Sequence, residues 1–329
     1  MDGLAGRRES MRNTSSVIMR RLFDFAVVLV GASIIVFLMI RLIPGDAVEI
    51  MLSSNGEATE QQVSELRAKL GLNRSMPDQY VRWLGDVVRG DFGNSLWTGK
   101  PVLGEIGDRI GITLELTFLS LAVAVALAIP LGVAMAYMRG SRLDLALRVV
   151  TVSGVTMPSF WLGALLIYLA ALWLPAWPTI GTIPAWSEDP LKHLQRMLLP
   201  TIATALPALS SLARIIRSAM LDALSQDYVR TARAKGLGEG SVVFKHALLN
   251  SLIPFVTALG ITTGYLFGGA IVVEQVFAIP GLGRLIVGAI ADRNYPLIQA
   301  AILVVTVGFV AINAVIDILY VVIDRRVAL

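Results

Sequence analysis

The side chains of this chain that could perform chemistry are few and scattered. There is no cysteine, and the only histidines are His193 and His246. Without cysteine, disulfides, thiolate metal sites and a cysteine nucleophile are excluded. The membrane topology derived below places the two histidines on opposite faces, so they cannot share a metal ion or form a catalytic dyad. The sequence therefore predicts no catalytic residue and no metal site.

Nucleotide binding by this chain is also not predicted. Residues 93–100 contain glycines followed by a lysine, as a phosphate-binding loop does. The glycines are one residue too far apart, however, and Pro101 stands where that loop requires Ser or Thr. Gly281 and Gly283 belong to a turn after Pro280 and not to a dinucleotide fingerprint. We therefore expect no cofactor bound directly to this chain.

One polar segment, residues 217–251, has the spacing of an interaction element. It predicts a short helix, a break at the glycines of 236–240, and a second helix that leads into an apolar span. Leu221, Leu224 and Tyr228 recur at helical spacing, and small residues cluster beside the break. A helix of this kind suits insertion into a cleft on another protein. An amphipathic helix lying on a bilayer fits the same pattern.

The elements that must position this segment are membrane spans. Apolar residues make up 55% of the 329-residue chain and charged residues 16%, too apolar for a soluble core of this size. A helix needs roughly 20 residues to cross the bilayer, and lipid satisfies no backbone amide, so long apolar runs must be helical. We expect an all-α polytopic membrane protein with six spans, at 22–43, 112–138, 149–174, 197–216, 252–273 and 297–323.

Basic residues orient these spans. Arginines and lysines concentrate in the tail 1–21, around 139–148, around 214–245 and in the tail 324–329, all on one side of a six-span protein. The positive-inside rule makes that side cytoplasmic, together with both termini. The stretch 44–111 then forms an extracytoplasmic loop with two amphipathic helices, near 58–70 and 76–89, and residues 112–323 form the membrane core. The helical pair either covers the mouth of the protein or docks a partner.

Some residues within the spans could have structural roles. Small residues on one helix face allow close packing, which is the role we predict for Gly260, Gly264 and Gly268. Prolines 158, 200 and 207 predict kinks. The polar side chains at or inside the spans are Glu115, Asn313 and Asp317. Glu115 and Asp317 lie near helix ends, and for them interfacial anchoring is favoured over solute binding.

The polar segment resembles the cytoplasmic loop of ABC importer permeases. Arg230-Thr-Ala-x-x-x-Gly236, followed by an apolar stretch and Pro254, matches that loop at Ala232 and Gly236. It departs from the family pattern at Arg230, where the family has glutamate, and at Thr231, where it has alanine. The longer string from Asp227 to Leu237 is similar to the dipeptide/oligopeptide branch, as are residues 41–46, 79–95, 113–117, 157–161 and 276–283.

This resemblance implies a type I ABC importer permease in a bacterial or archaeal cell membrane, the first of two paralogous permease subunits. Its other partners would be two ATPases carrying ATP and Mg, an extracytoplasmic binding protein, and a peptide substrate. The permease itself would not be an enzyme. The residues implied to couple it to the ATPases are Asp227, Tyr228, Arg230, Thr231, Ala232, Ala234, Lys235, Gly236, Leu237 and Gly238.

Other functions were weighed against this one. Relatives of the same architecture import nickel chelates or glutathione-like solutes, and specificity would lie largely in the binding protein. An ion-driven secondary transporter would show inverted repeats with paired broken helices, and no such halves are visible. An intramembrane hydrolase needs a nucleophile and a base facing each other within the bilayer, and no histidine lies inside a predicted span.

Overall fold

The computed structural model describes residues 23–39, 41, 61, 64, 68 and 73–323, with side chains described as far as residue 314. Within this part of the chain all regular structure is helical, apart from one isolated β-bridge between Asn94 and Pro101. The all-α class predicted from the sequence is confirmed. The helices are α1 Phe23–Met39, α2 Met76–Val88, α3 Val102–Tyr137, α4 Arg142–Thr156, α5 Ser159–Trp173, α6 Pro190–Leu224, α7 Asp227–Ala234, α8 Glu239–Val276, α9 Leu282–Ala291 and α10 Tyr295–Ile323.

Four of these helices, namely α3, α6, α8 and α10, are long and apolar enough to cross a membrane by themselves. The helix α1 is shorter and also apolar. Helices α6 and α8 extend well beyond the predicted spans 197–216 and 252–273, so the polar connection between them shrinks to residues 225–238. The short apolar helix α9 was not predicted; it follows a turn at Pro280 and Gly281.

The predicted third span, 149–174, is not one helix. It is broken into α4 and α5, and the direction of the helix axis changes by 110° between them. Met157 has an extended backbone with ψ 123°, and Pro158 is the N-cap residue of α5. A residue before proline is pushed out of the helical region, and proline offers no N–H to the preceding turn. The kink predicted at Pro158 is therefore a break, whereas α6 continues through Pro200 and Pro207.

The chain divides into two compact units, of which the first contains residues 1–110 and 285–310. In this unit α2 packs on the end of α1 through the rings of Phe37, Tyr80 and Trp83, and the Tyr80 hydroxyl lies 2.9 Å from that of Ser33. The second predicted loop helix is thus present at Met76–Val88. The first, near 58–70, lies outside the described residues except at three positions, which are helical: Gln61, Ser64 and Ala68.

The second unit contains residues 111–284 and 311–329. Its core is built on α6, whose buried residues run along most of its length and meet α3, α4, α5 and α8. Glycines allow the close approaches. A Cβ on Gly132 of α3 would lie 2.7 Å from the carbonyl oxygen of Ala213, and one on Gly154 of α4 would overlap the Ser210 hydroxyl. This packing holds the ends of α6 and α8 together, where the short helix α7 connects them.

Candidate functional site

Helix α7 is the short helix predicted from residues 217–251. Two residues, Ser225 and Gln226, separate it from α6, and it ends at Ala234, two residues before Gly236. The backbone of Gly236 is left-handed, with φ +77°. Its N–H donates to the Arg233 carbonyl at 2.9 Å, and the N–H of Leu237 donates to the Ala232 carbonyl at 3.3 Å. Only glycine adopts this helix-ending conformation without strain, which explains the residue at this position.

One face of α7 is packed against its own chain. Val229 and Ala232 are buried with Val242 of α8, and Leu224 covers them. Ala232 therefore faces inward, although the resemblance implied that it helps couple the chain to the ATPases. The other implied coupling residues are exposed, and they are Asp227, Tyr228, Arg230, Thr231, Ala234, Lys235, Gly236, Leu237 and Gly238.

Polar contacts fix α7 to the start of α8. Arg233 donates to both carboxylate oxygens of Glu239, at 2.8 and 3.3 Å. This hydrogen bond raises the pKa of the Arg233 guanidinium above its ordinary value. On the opposite side of the segment, the Asn250 amide donates to the Tyr228 hydroxyl at 3.0 Å. The short helix is thus held at both ends of its exposed face.

A recess of about 770 Å³ lies between α6, α7 and α8. Its wall includes polar and apolar groups, namely Ile215, Ser218, Ala219, Asp222, Ala223, Gln226, Tyr228, Asn250 and Pro254. Next to it, residues Val242–Ala247 form a π turn at the beginning of α8. Such turns widen a helix locally and are frequent at functional sites. No sequence pattern indicated this turn.

The carboxylate of Glu274 is buried near the C-terminal end of α8. Glu274 is fully buried and accepts hydrogen bonds from the Thr113 hydroxyl at 2.6 Å and from the backbone N–H groups of Gly283 at 2.7 Å and Arg284 at 3.3 Å. The Thr113 hydroxyl in turn accepts from the N–H of Leu282 at 2.8 Å. Together they satisfy the free amides at the start of α9. Glu274 was not predicted as a functional residue, although an acidic side chain at the end of an apolar span is a signal in itself.

Two further polar groups hold the connection between α5 and α6. Glu115 accepts from the Trp186 indole at 2.8 Å and pairs with His193 Nε2 at 2.7 Å, so its role is to bind this connection and not merely to anchor at the interface. Arg196, near the beginning of α6, is buried. Its guanidinium donates to the carbonyls of Thr179 and, at 2.6 Å, Gly181.

The glycines of α8 that were predicted to pack against another helix differ in their surroundings. Gly260 is buried in the unit, whereas Gly268 is exposed and a Cβ there would meet no atom within 4 Å. The predicted packing role stays a prediction for the exposed position. Asn313 is half-buried on α10, and the side chain of Asp317 lies outside the described residues.

Comparison with known proteins identifies the class. Residues 128–329 match the family "binding-protein-dependent transport system inner membrane component", and residues 15–117 match the N-terminal region of such membrane components. The chain belongs to this family of ABC importer permeases, as the resemblance predicted. It is a multi-pass membrane protein and a non-catalytic transport subunit.

Curated relatives match nearly end to end. A probable peptide ABC transporter permease of Sinorhizobium fredii is 38% identical over 94% of this chain and 98% of its own length. A dipeptide transport system permease of Alkalihalophilus pseudofirmus is 38% identical over 94% and 98%. A glutathione transport system permease of Salmonella paratyphi A is 39% identical over 94% and 98%.

A solved structure supports the fold. A chain of the inward-facing MetNI methionine ABC transporter superimposes with a TM-score of 0.55 at 19% identity, covering 68% of this chain and 97% of that chain. This likeness confirms the predicted type I importer permease fold.

Proposed function

We propose that this chain forms half of the pathway of an ATP-driven importer of short peptides and couples to ATPase subunits through α7. The observation that carries the coupling role is the geometry of α7. It is a short helix with one face packed on its own chain and the other face, from Tyr228 to Lys235, exposed.

The packing of α7 makes it a suitable lever. Buried Val229 and Ala232, together with the pair Arg233–Glu239, tie it to the beginning of α8. A displacement of α7 by a closing ATPase is therefore passed to α8, which continues to Val276 without a break. Rigid helices transmit such movements better than loops, and packed cores switch between discrete arrangements.

The proposed partners are those that the family resemblance implies, and the names of the relatives support the proposed solute. A second, paralogous permease would complete the pathway, two ATPases would carry ATP and Mg, and an extracytoplasmic protein would deliver the solute. Peptide and dipeptide permeases among the relatives favour a peptide as that solute. The glutathione permease keeps a glutathione-like solute as the second candidate. The basic residues on the α7 side favour a cell membrane orientation with both termini in the cytoplasm.

The test is Thr231→Trp, which places a bulky ring on the exposed face of α7. We expect this variant to insert normally, to lose co-purifying ATPases and to lose peptide uptake in vesicles containing ATP. Arg82→Trp is the matched control, because Arg82 is an exposed arginine of α2 and takes no part in α7 or its connections. Normal uptake and normal ATPase recovery in the Thr231 variant would refute the coupling role.

A further inference from the structure

Two arginines at one end of α4 and α6 share a single buried carboxylate. Asp144, with 1% of its side chain exposed, lies 3.3 Å from Nε of Arg148 and 3.3 Å from Nε of Arg217. Its other oxygen accepts from the Gly140 N–H at 3.0 Å. One negative charge therefore faces two positive charges, and the cluster keeps a net positive charge.

Asp144 holds both guanidinium groups in place, but most of their N–H donors do not point toward it. Each guanidinium group has five N–H donors. Arg148 points one nitrogen, Nε, toward Asp144, and Arg217 points two, Nε and Nη2. The side chains remain 45% and 22% exposed. Arg214, one helical turn before Arg217, is exposed as well and adds a third positive charge. A phosphate group could thus approach a preorganised cationic surface.

An apolar surface adjoins this cluster. Helix α4 carries no charged residue after Arg148, and Leu145, Val149 and Val152 are exposed by 56%, 58% and 51%. Leu145 and Val152 lie three and four residues from Arg148 and are its neighbours on the helix surface, and Val149 continues the same apolar face. A cationic group at the end of an apolar helix face matches a molecule with an anionic head and hydrocarbon chains.

We infer that this surface, formed by Arg148, Arg214, Arg217 and the face Leu145–Val149–Val152, binds an anionic glycerophospholipid. The phosphate contacts the arginines, and the acyl chains lie along α4. Basic pockets between spans hold anionic headgroups in this manner. A zwitterionic lipid is bound less well, because its own cation competes for the phosphate. The inference requires only that the chain lies in a membrane, and it is independent of the proposed solute.

The first test is lipid retention by the full chain, with any subunits that co-purify, in mild detergent. Native mass spectrometry would follow added phosphatidylglycerol and phosphatidylcholine. We expect Arg148→Gln to weaken phosphatidylglycerol retention about fivefold, the effect of one basic residue near an anionic headgroup. Asp144 keeps Arg217 and Gly140 as partners in this variant, so the fold is retained. Arg148→Lys should keep most of the binding.

Arg82→Gln is the matched control, because Asp78 is likewise shared by Arg74 and Arg82, at 3.3 Å each, on the exposed helix α2. It should bind phosphatidylglycerol as the wild type does. Equal retention by wild type and Arg148→Gln, or equal retention of the two lipids, would overturn the inference. So would displacement of the lipid by inorganic phosphate alone, or the loss of a bound protein subunit instead of lipid from the Arg148 variant.

Discussion

The hydroxyl of Thr113 lies 2.6 Å from a carboxylate oxygen of Glu274, although the two residues are 161 positions apart in the chain. Both are buried, and the same hydroxyl accepts from the N–H of Leu282. One threonine therefore links α3, the end of α8 and the start of α9.

This relationship predicts the effects of two substitutions at residue 113. Thr113→Val keeps the shape but removes the hydroxyl, leaving Glu274 short of a donor and the Leu282 amide without its acceptor. We expect a loss of about 1–3 kcal/mol, the usual effect of an unsatisfied buried polar group. Thr113→Ser should be close to wild type. Thermal unfolding of the purified protein measures both, and indistinguishable midpoints for the valine and serine variants would contradict the prediction.

Gly236 gives a second prediction, because its φ of +77° is unfavourable for other residues. We expect Gly236→Ala to destabilise the end of α7 by about 1 kcal/mol. Gly238→Ala is the control, since Gly238 has φ −63° and open space around its Cα. Hydrogen exchange of the α7 amides would detect the difference. Equal protection in the two variants would show that the left-handed turn does not hold α7.

A third prediction concerns Arg196, whose planar guanidinium reaches several carbonyls of the α5–α6 connection. Lysine keeps the charge but cannot reproduce the fork of donors. We expect Arg196→Lys to lower stability by about 1.5–3 kcal/mol, the range for hydrogen bonds to charged groups. Proteolysis between residues 175 and 189 should become faster. The exposed Arg82→Lys variant is the control and should be cleaved as the wild type is. Unchanged cleavage in the Arg196→Lys variant would show that other contacts hold the connection.

Local sequence patterns predicted the parts of this molecule that depend on local interactions. The long apolar runs predicted the long helices α3, α6, α8 and α10, and the glycine at 236 predicted the end of α7, because both follow from the backbone and the nearest neighbours. The same reasoning did not predict which way Ala232 faces. Its side chain packs on Val242, a residue beyond the glycine turn. The angle of that turn decides which face of α7 is covered, and spacing alone does not reveal it.

The polar clusters could not be predicted in the same way. His193 meets Glu115 from 78 positions away, and Glu274 meets Thr113 from further still. Each pairing depends on how α3, α6 and α8 pack, which periodicity within one helix does not specify. The burial of Arg196 also depends on a separate segment, because its partners are the carbonyls of Thr179 and Gly181.

The break at Pro158 also bears on the membrane around the protein. Helix α5 has 15 residues, which rise about 22 Å at 1.5 Å per residue. The hydrocarbon layer of a typical bilayer is about 30 Å thick. A mismatch of about 8 Å is relieved when the lipid beside the short helix thins. Leu169, Leu172 and Trp173 are exposed on α5. Lipids with shorter acyl chains should therefore surround α5 at a lower energetic cost than lipids with longer ones.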